Sequence, residues 1–235
     1  MKNLIIASTS TIHGSDYLEY LLDELSVFFK LVDYILFIPY ARPSGISHDD
    51  YTNKVQEAFL KINKTVKGIH EFENPVEAVT QAKAIFIGGG NTFVLLNQLY
   101  KNQLIEPLKK AVQNGTPYLG TSAGSNICGL TINTTNDMPI IYPPSFKALG
   151  LVPFNINPHY LDPIPNNKHM GETRETRIKE FHEFNTQPVI GLREGSWLIV
   201  KDDSIILKGR LSARIFEYNK TPFEVETETE LNTLK

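Results

Sequence analysis

A serine between small residues is the feature of this sequence that most directly suggests chemistry. Residues 120–124 read Gly-Thr-Ser-Ala-Gly, with a short β-prone run before them and a helix-like segment after them. This is the G-x-S-x-G pattern, in which the serine lies on a sharp strand-to-helix turn that exposes its Oγ. The pattern predicts Ser122 as a nucleophile, although a glycine-rich turn that serves packing alone has the same composition.

A nucleophilic serine needs backbone donors for the oxyanion that forms on the attacked carbonyl. The amide of Ala123 follows the serine at the start of a predicted helix, so we expect it to be one donor. Gly89 and Gly90 end another predicted strand, in a Gly-Gly-Gly-Asn segment. Glycine lets a backbone N–H approach a ligand closely, so we expect the second donor here. A phosphate-binding P-loop is not indicated, because no Gly-Lys-Ser/Thr follows.

The general base is expected among the histidines. His159 is the first candidate, because it follows Asn-Pro and proline restricts the backbone that would hold the imidazole. His169 is the second candidate. His182 lies in a charged helix-like segment and is expected to be solvated, whereas His70 lies in a presumed strand and is expected to be a core residue.

The third member of a triad is a carboxylate that orients the imidazole and stabilises its cation. Asp137 and Glu194 are the two candidates, and Asp162 is a weaker third. The sequence does not choose among them, because a triad is defined by geometry rather than by chain position. Asp137 would serve equally as a turn cap, and Glu194 as an ion-pair partner of Arg193.

Composition narrows the class of protein. The chain has 235 residues, 41% hydrophobic and 21% charged, which is typical of a globular protein, and we expect a single catalytic domain over residues 1–235. A net charge of −3 with dispersed basic residues does not suggest a nucleic-acid or membrane-surface binder.

Cysteine usage and hydropathy predict a cytoplasmic location. The single cysteine, Cys128, excludes an intramolecular disulfide and suits a reducing compartment. No apolar run approaches membrane-spanning length, and the first apolar run is read as a buried strand rather than a signal sequence. The sequence has no paired Cys/His ligand set, so we expect no metal and no cofactor.

Short apolar runs alternate with helix-like segments. We predict strands at 4–7, 34–39, 66–72, 84–87, 117–119, 151–154, 189–192, 197–201, 204–207 and 214–218, and helices at 17–29, 49–62, 75–82, 92–100, 104–113 and 171–184. This alternation is typical of an α/β fold with a mostly parallel sheet in a three-layer α/β/α sandwich. Sites in such folds lie at the carboxyl ends of the strands, where Gly89 and Ser122 fall. The acidic tail, 224–235, is expected to be exposed or frayed.

Five motifs in this order resemble the peptidase E family of α-aspartyl dipeptidases, which cleave dipeptides with N-terminal aspartate. They are 88–93 (Gly-Gly-Gly-Asn-Thr-Phe), 122–124 (Ser-Ala-Gly), 134–140 (Thr-Thr-Asn-Asp-Met-Pro-Ile), 157–159 (Asn-Pro-His) and 171–175 (Gly-Glu-Thr-Arg-Glu). The resemblance extends from the first strand to about residue 218. It departs from the family at Thr121, where close relatives have tryptophan, and at Ser125, where alanine is usual.

The resemblance implies a flavodoxin-like fold related to the class I glutamine amidotransferases, with serine in place of their cysteine. It also implies Ser122 as nucleophile, His159 as base, and either Asp137 or Glu194 as the third member. The expected activity is hydrolysis of Asp-X dipeptides through an acyl-enzyme, by a monomer or a homodimer.

Selection of an N-terminal aspartate needs a cation for the β-carboxylate, and arginine binds carboxylates bidentately. Arg174, in the motif at 171–175, is the first candidate, with Arg177 and Lys168 as alternatives. An ion pair between Arg174 and a glutamate on its own helix is the competing interpretation.

Two other functions fit parts of the pattern. An α/β-hydrolase-like esterase shares the serine turn and the chain order Ser122, Asp137, His159. A catalytically silent ligand-binding relative would keep the fold with a displaced triad, because a fold does not guarantee an activity.

Overall fold

The computed structural model describes residues 1–163, 171–231 and 234. The strands are β1 (Asn3–Ala7), β2 (Tyr34–Ile38), β3 (Thr65–Gly68), β4 (Ile85–Ile87), β5 (Tyr118–Thr121), β6 (Asn155–Pro158), β7 (Val189–Leu192), β8 (Ser196–Lys201), β9 (Ser204–Gly209), β10 (Ala213–Phe216) and β11 (Phe223–Val225). The helices are α1 (Leu22–Phe28), α2 (His48–Leu60), α3 (Pro75–Gln81), α4 (Thr92–Lys101), α5 (Ile105–Gln113), α6 (Ala123–Asn126) and α7 (Arg174–His182). None of the helices in this part of the chain is long and apolar enough to cross a membrane.

The main sheet has seven strands in the order β3-β2-β4-β5-β1-β8-β9. The strands from β3 to β1 are parallel, and β8 and β9 add an antiparallel edge. Successive residues of a strand point to opposite faces, so Ile5 and Ile6 of β1 enter two different core clusters. Helices α1 and α2 cover one face, whereas α3 to α6 cover the other. The predicted mostly parallel sheet with helices on both faces is confirmed.

A second sheet lies on the face covered by α3 to α6. Its order is β11-β10-β7-β6, and β6 and β7 run parallel. The predicted strand at 151–154 is wrong, because this apolar segment is a buried loop in which Leu151 and Val152 both donate to the carbonyl of Cys128. The strand begins at Asn155, whose N–H donates to Pro188 O at 2.8 Å. Polar side chains in this strand concealed it from hydropathy patterning.

The acidic tail is more ordered than its composition suggests. Its first residues belong to β11, and Leu231 and Leu234 are buried. The N–H of Leu231 donates to Ile205 O at 2.7 Å, which fixes the tail to the edge strand β9. The expectation of an exposed or frayed tail is therefore wrong at Leu231 and Leu234, which provide an apolar anchor that the surrounding charges conceal.

Helix α7 and the second sheet are joined by an ion-pair network. Arg193 pairs with Asp162 at 2.7 Å and with Glu224 at 2.8 Å, while Arg214 pairs with Glu224 at 3.1 Å and with Glu175 at 2.9 Å. Arg193 is only 13% exposed, so these contacts are shielded better than surface ion pairs. The hydrogen bonds of Glu224, above all to Arg193, lower its pKa from 4.5 to about 2.

This lowered pKa predicts a pH dependence of stability. The unfolded chain binds a proton at residue 224 before the folded chain does, so stability from this carboxylate is complete above pH 4.5 and is lost as the pH falls towards 2. Glu224→Gln is expected to unfold more easily than wild type at pH 6, with a smaller difference at pH 3, in urea titrations. Glu226→Gln is the control, because Glu226 is exposed and has no partner among the described residues. A difference from wild type that is the same at both pH values would contradict the assignment.

Candidate active site

The turn around Ser122 joins β5 to α6. Ser122 has φ 53° and ψ −111°, a combination that L-residues rarely adopt outside functional sites. A Cβ on Gly120 would lie 2.5 Å from Gly124 O, and a Cβ on Gly124 would lie 2.1 Å from Ile87 O. No side chain fits at either glycine, so the turn packs tightly while Ser122 itself remains partly exposed.

The imidazole of His159 bridges Ser122 and a carboxylate. His159 Nε2 lies 2.8 Å from Ser122 Oγ, and Nδ1 lies 2.6 Å from Glu194 Oε1. With its proton on Nδ1, the ring donates to Glu194 and accepts from the serine hydroxyl. The register of the second sheet produces this contact, because Pro158 of β6 pairs with Leu192 of β7. His159 follows Pro158 directly, and Glu194 lies two residues beyond Leu192.

Asp137 lies elsewhere. Its carboxylate accepts from the N–H of Thr92 at 2.7 Å and from Thr135 Oγ1 at 3.2 Å. This places a negative charge at the N-terminus of α4, where the helix dipole favours it. Of the two carboxylates that the sequence left open, the structure brings Glu194, and not Asp137, to His159.

The alternative role for Glu194, an ion pair with Arg193, is not observed. The Arg193 guanidinium is directed to Asp162 and Glu224 in the network described above. Asp162, the weaker candidate for the triad, is the partner of Arg193 in that network.

Two other histidines, His182 and His70, lie in other surroundings. His182 is 8% exposed and its Nε2 lies 3.1 Å from Gln187 O, so the expected solvated position is wrong. His182 lies on the buried face of α7. Because most residues of that helix are charged, the sequence did not indicate a buried face. His70 is partly exposed in a 3-10 turn, Ile69–Glu71, and pairs through Nε2 with Asp49 at 2.8 Å, so the expected core position in a strand is wrong. His169 and Lys168 lie outside the described residues.

The loop after β4 packs beside the serine turn. A Cβ on Gly89 would lie 3.0 Å from Ser122 Cβ, and Gly90, at φ +145°, packs against the carbonyl of Ala41. Within the described residues, the N–H groups of Gly89, Gly90 and Ala123 donate to no other residue. They are therefore available to an oxyanion.

Arg174 lies at the first residue of α7, partly buried, beside a cavity of about 40 Å³. Asn136, Asn157 and Arg177 also line this cavity. Burial lowers the pKa of Arg174, as does the neighbouring Arg177, whereas the charge of Asp137 raises it.

The charge of Arg174 is not neutralised by its own helix. The ion pairs of α7 join Lys179 to Glu175 and Arg177 to Glu172. Arg174 has no ion-pair partner in the part of the chain that the structure describes, so the alternative interpretation, an ion pair with a glutamate on its own helix, is not observed. The guanidinium is free to bind an anion.

The two departures from the resembling family are buried beside the serine turn. Ser125 Oγ donates to Ala7 O at 2.6 Å and so fastens α6 to β1. Thr121 is fully buried, and its hydroxyl has no partner among the described residues.

Known proteins are similar to this chain over most of its length. A sequence model of peptidase family S51 matches residues 4–208. The chain belongs to peptidase family S51. A protein of Streptomyces coelicolor named peptidase E is 48% identical over 232 residues, which cover 99% of this chain and 94% of that protein. A Drosophila melanogaster protein named probable alpha-aspartyl dipeptidase is 47% identical and covers 92% of this chain and 90% of its own length.

Solved structures support the fold of this S51 chain. A putative peptidase E from Listeria monocytogenes EGD-e matches with a TM-score of 0.69 at 21% identity, covering 90% of this chain and 100% of its own. A peptidase from an acI-B1 actinobacterium matches with a TM-score of 0.74 at 16% identity, covering 98% and 96%. The fold is that of the class I glutamine amidotransferases, as predicted.

Sequence reasoning missed Ser8, which lies at the carboxyl end of β1 and is fully buried. Its Oγ donates to Leu192 O at 2.7 Å and accepts from the N–H of His159 at 2.9 Å. One hydroxyl therefore fixes the backbone at His159, which has φ 53°, to the strand end that precedes Glu194. A polar residue that follows four buried apolar residues at the end of a central strand is the available signal.

Removal of this hydroxyl should misplace the imidazole. In Ser8→Ala two buried backbone groups lose a partner, which costs about 1–3 kcal/mol of stability. We expect the rate at which a fluorophosphonate labels Ser122 to fall about 10-fold or more, because small displacements of a base are costly. The low-field proton resonance of the His159–Glu194 hydrogen bond should also weaken.

Ser196→Ala is the matched control. Ser196 is fully buried, and its hydroxyl donates to Leu211 O and accepts from the N–H of Leu211, so it makes the same kind of bridge without bonding to His159 or Glu194. It should lose comparable stability yet label at the wild-type rate. Equal slowing of both variants would show that Ser8 acts only through stability.

Proposed function

We propose that this chain is a serine-type dipeptidase that hydrolyses dipeptides with N-terminal aspartate through an acyl-enzyme on Ser122. The observation that carries the proposal is the continuous contact from Ser122 Oγ through His159 to Glu194, at 2.8 and 2.6 Å. The printed names of the relatives, peptidase E and probable alpha-aspartyl dipeptidase, support the dipeptidase activity. The single cysteine supports a cytoplasmic location.

In the acylation step, His159 Nε2 accepts the proton of Ser122 while Oγ bonds to the peptide carbonyl carbon. The carbonyl oxygen becomes an oxyanion within reach of the N–H groups of Ala123 and of Gly89 or Gly90. Collapse of this intermediate breaks the C–N bond, and the imidazolium returns the proton to the departing amine. An aspartyl ester of Ser122 remains.

In the deacylation step, water enters from the side that the amine has left. His159 accepts a proton from the water as its oxygen bonds to the ester carbonyl, and the second tetrahedral intermediate collapses. The proton returns to Ser122 Oγ and free aspartate departs. Glu194 orients the imidazole and stabilises its cation in both steps, without itself taking the proton.

We assign Asp137 a structural role. Its bonds to the N-terminus of α4 keep that helix in place behind the loop that carries Gly89 and Gly90. Through that loop it supports the oxyanion donors, but it does not touch the imidazole.

Arg174 is proposed to bind the β-carboxylate of the substrate aspartate. Its partly buried guanidinium has no ion-pair partner among the described residues, and partial burial strengthens a charge-assisted hydrogen bond to an incoming carboxylate. Arg177 is a weaker candidate, because it is more exposed and already lies near Glu172.

The geometry disfavours the two alternatives. A silent relative requires a displaced triad, whereas Ser122 and His159 are in hydrogen-bond contact. The esterase interpretation relied on the chain order Ser-Asp-His, but the carboxylate at His159 is Glu194, which follows the histidine.

Turnover of Asp-Leu tests the assignment of the triad. Ser122→Ala is expected to abolish turnover, and Glu194→Gln to lower kcat by about 10⁴-fold, as expected when the orienting carboxylate is lost. Asp137→Asn should lose stability and retain kcat within about 10-fold, since it only weakens a helix cap. If Asp137→Asn is the more damaging of the two, or if folded Ser122→Ala turns over normally, the proposal fails.

Discrimination between Asp-Leu and Asn-Leu tests Arg174. Arg174→Gln should lower kcat/KM for Asp-Leu by about 10²-fold, the value of a charged hydrogen bond, and should leave the poor Asn-Leu reaction unchanged. Arg177→Gln is the control on the same helix. If kcat/KM fell by the same factor for both substrates, Arg174 would not be the residue that recognises the charge of the aspartate.

A further inference from the structure

Arg42 is an arginine without an acidic partner that the proposed mechanism does not use. It lies just beyond β2 and is exposed, and its guanidinium carbon lies 5.6 Å from the centre of the Tyr51 ring. This is a cation–π contact, which positions the charge without neutralising it.

The carboxylates of the neighbouring segments are engaged elsewhere. Asp49 pairs with His70 at 2.8 Å, Asp16 pairs with Lys61 at 3.0 Å, and Asp50 accepts from Ser47 at 2.6 Å. Arg42 has no ion pair within residues 1–163, 171–231 and 234. Its charge is therefore available to a ligand.

The segment that carries Arg42 packs directly on the oxyanion loop. The carbonyl of the preceding residue, Ala41, accepts from the N–H of Asn91 at 2.7 Å, and a Cβ on Gly90 would lie 2.3 Å from that carbonyl. The Tyr51 hydroxyl donates to Gly89 O at 3.2 Å. Arg42 is thus connected to the loop beside Ser122 both through the backbone and through the ring on which it stacks.

Arg42 and Arg174 lie on opposite faces of the main sheet. Tyr51, under Arg42, belongs to the core cluster beneath α1 and α2. Arg174 begins the helix that packs on the second sheet, on the other face. Ser122 lies between them at the carboxyl edge of β5.

An Asp-X dipeptide has the matching charges. Its side-chain carboxylate and its C-terminal carboxylate lie on opposite sides of the scissile bond, each about 3.5 Å, or one residue length, from the carbonyl carbon. With the β-carboxylate at Arg174, the departing residue extends across the sheet edge towards Arg42. In a longer peptide, the residue after the scissile bond has a neutral amide in place of the C-terminal carboxylate.

We propose that Arg42 binds the C-terminal carboxylate of the departing residue and so selects dipeptides over longer or amidated substrates. The assignment rests on the proposed function. It makes the site a receptor for two carboxylates, one on each side of the nucleophile.

The test compares Asp-Leu with Asp-leucinamide, which lacks the C-terminal charge. Wild type should prefer Asp-Leu by about 10-fold or more in kcat/KM. Arg42→Gln should lose about that factor on Asp-Leu, mainly through KM, and should cleave Asp-leucinamide as wild type does. Arg42→Lys should recover part of the preference, because it restores the charge without the planar fork.

Lys54→Gln is the matched control. Lys54 lies on α2, three residues after Tyr51, and its Nζ is 5.2 Å from the centre of the Tyr17 ring. The variant therefore removes one positive charge that stacks on a different tyrosine. It should keep the preference for Asp-Leu. Loss of the preference in this variant would indicate a general electrostatic effect and would overturn the assignment of Arg42.

Two further results separate the possible failures. If Arg42→Gln slows both substrates equally, or neither, Arg42 does not read the carboxylate, while the proposed function stands on the wild-type activity. If folded wild type cleaves neither substrate, the proposed function fails and the assignment of Arg42 fails with it.

Discussion

The close approach of α6 to β4 is the constraint on which the site depends. Gly124 brings the first turn of this helix against the carbonyl of Ile87, at a distance that admits no side chain. Because the chain must turn within one residue to reach this position, Ser122 takes a positive φ and its hydroxyl projects from the edge of the sheet. The same approach brings Gly89, just past β4, against the serine. The proposed nucleophile and the proposed oxyanion donors therefore arise from one packing contact between backbones.

The second sheet supplies the rest of the site. β6 and β7 pair in parallel, so the residues after them emerge side by side, and these carry His159 and Glu194. Ser8 ties that edge to β1 of the main sheet. The distance between His159 and Ser122 is consequently set by how the two sheets pack together, and small shifts between the sheets would change it. The Arg193 network links the segment after β7 to Asp162, just beyond His159, and to Glu224 of β11.

The parts of the site that are local in sequence could be predicted, and those that depend on register could not. Ser122, Ala123 and the glycines at 89 and 90 are identified by short patterns that specify their own backbone geometry. The choice between Asp137 and Glu194 depends on which strand lies beside β6, and no local pattern contains that information. The strand at Asn155–Pro158 was missed for a related reason, because its buried asparagines satisfy loop hydrogen bonds while hydropathy reads them as polar.

The hydrogen bonds of Ser8 have a consequence for how the protein is made. They join residues separated by 151 and 184 positions in the chain, so the base is not aligned until both ends of that span have emerged and folded. Contacts of such long range form late, after the loop-closure entropy has been overcome. A nascent chain on the ribosome can complete the main parallel strands and the serine turn long before Glu194 has been synthesised. Because Glu194 is the last of the three residues to be synthesised, the proposed triad cannot assemble until residue 194 has left the ribosome.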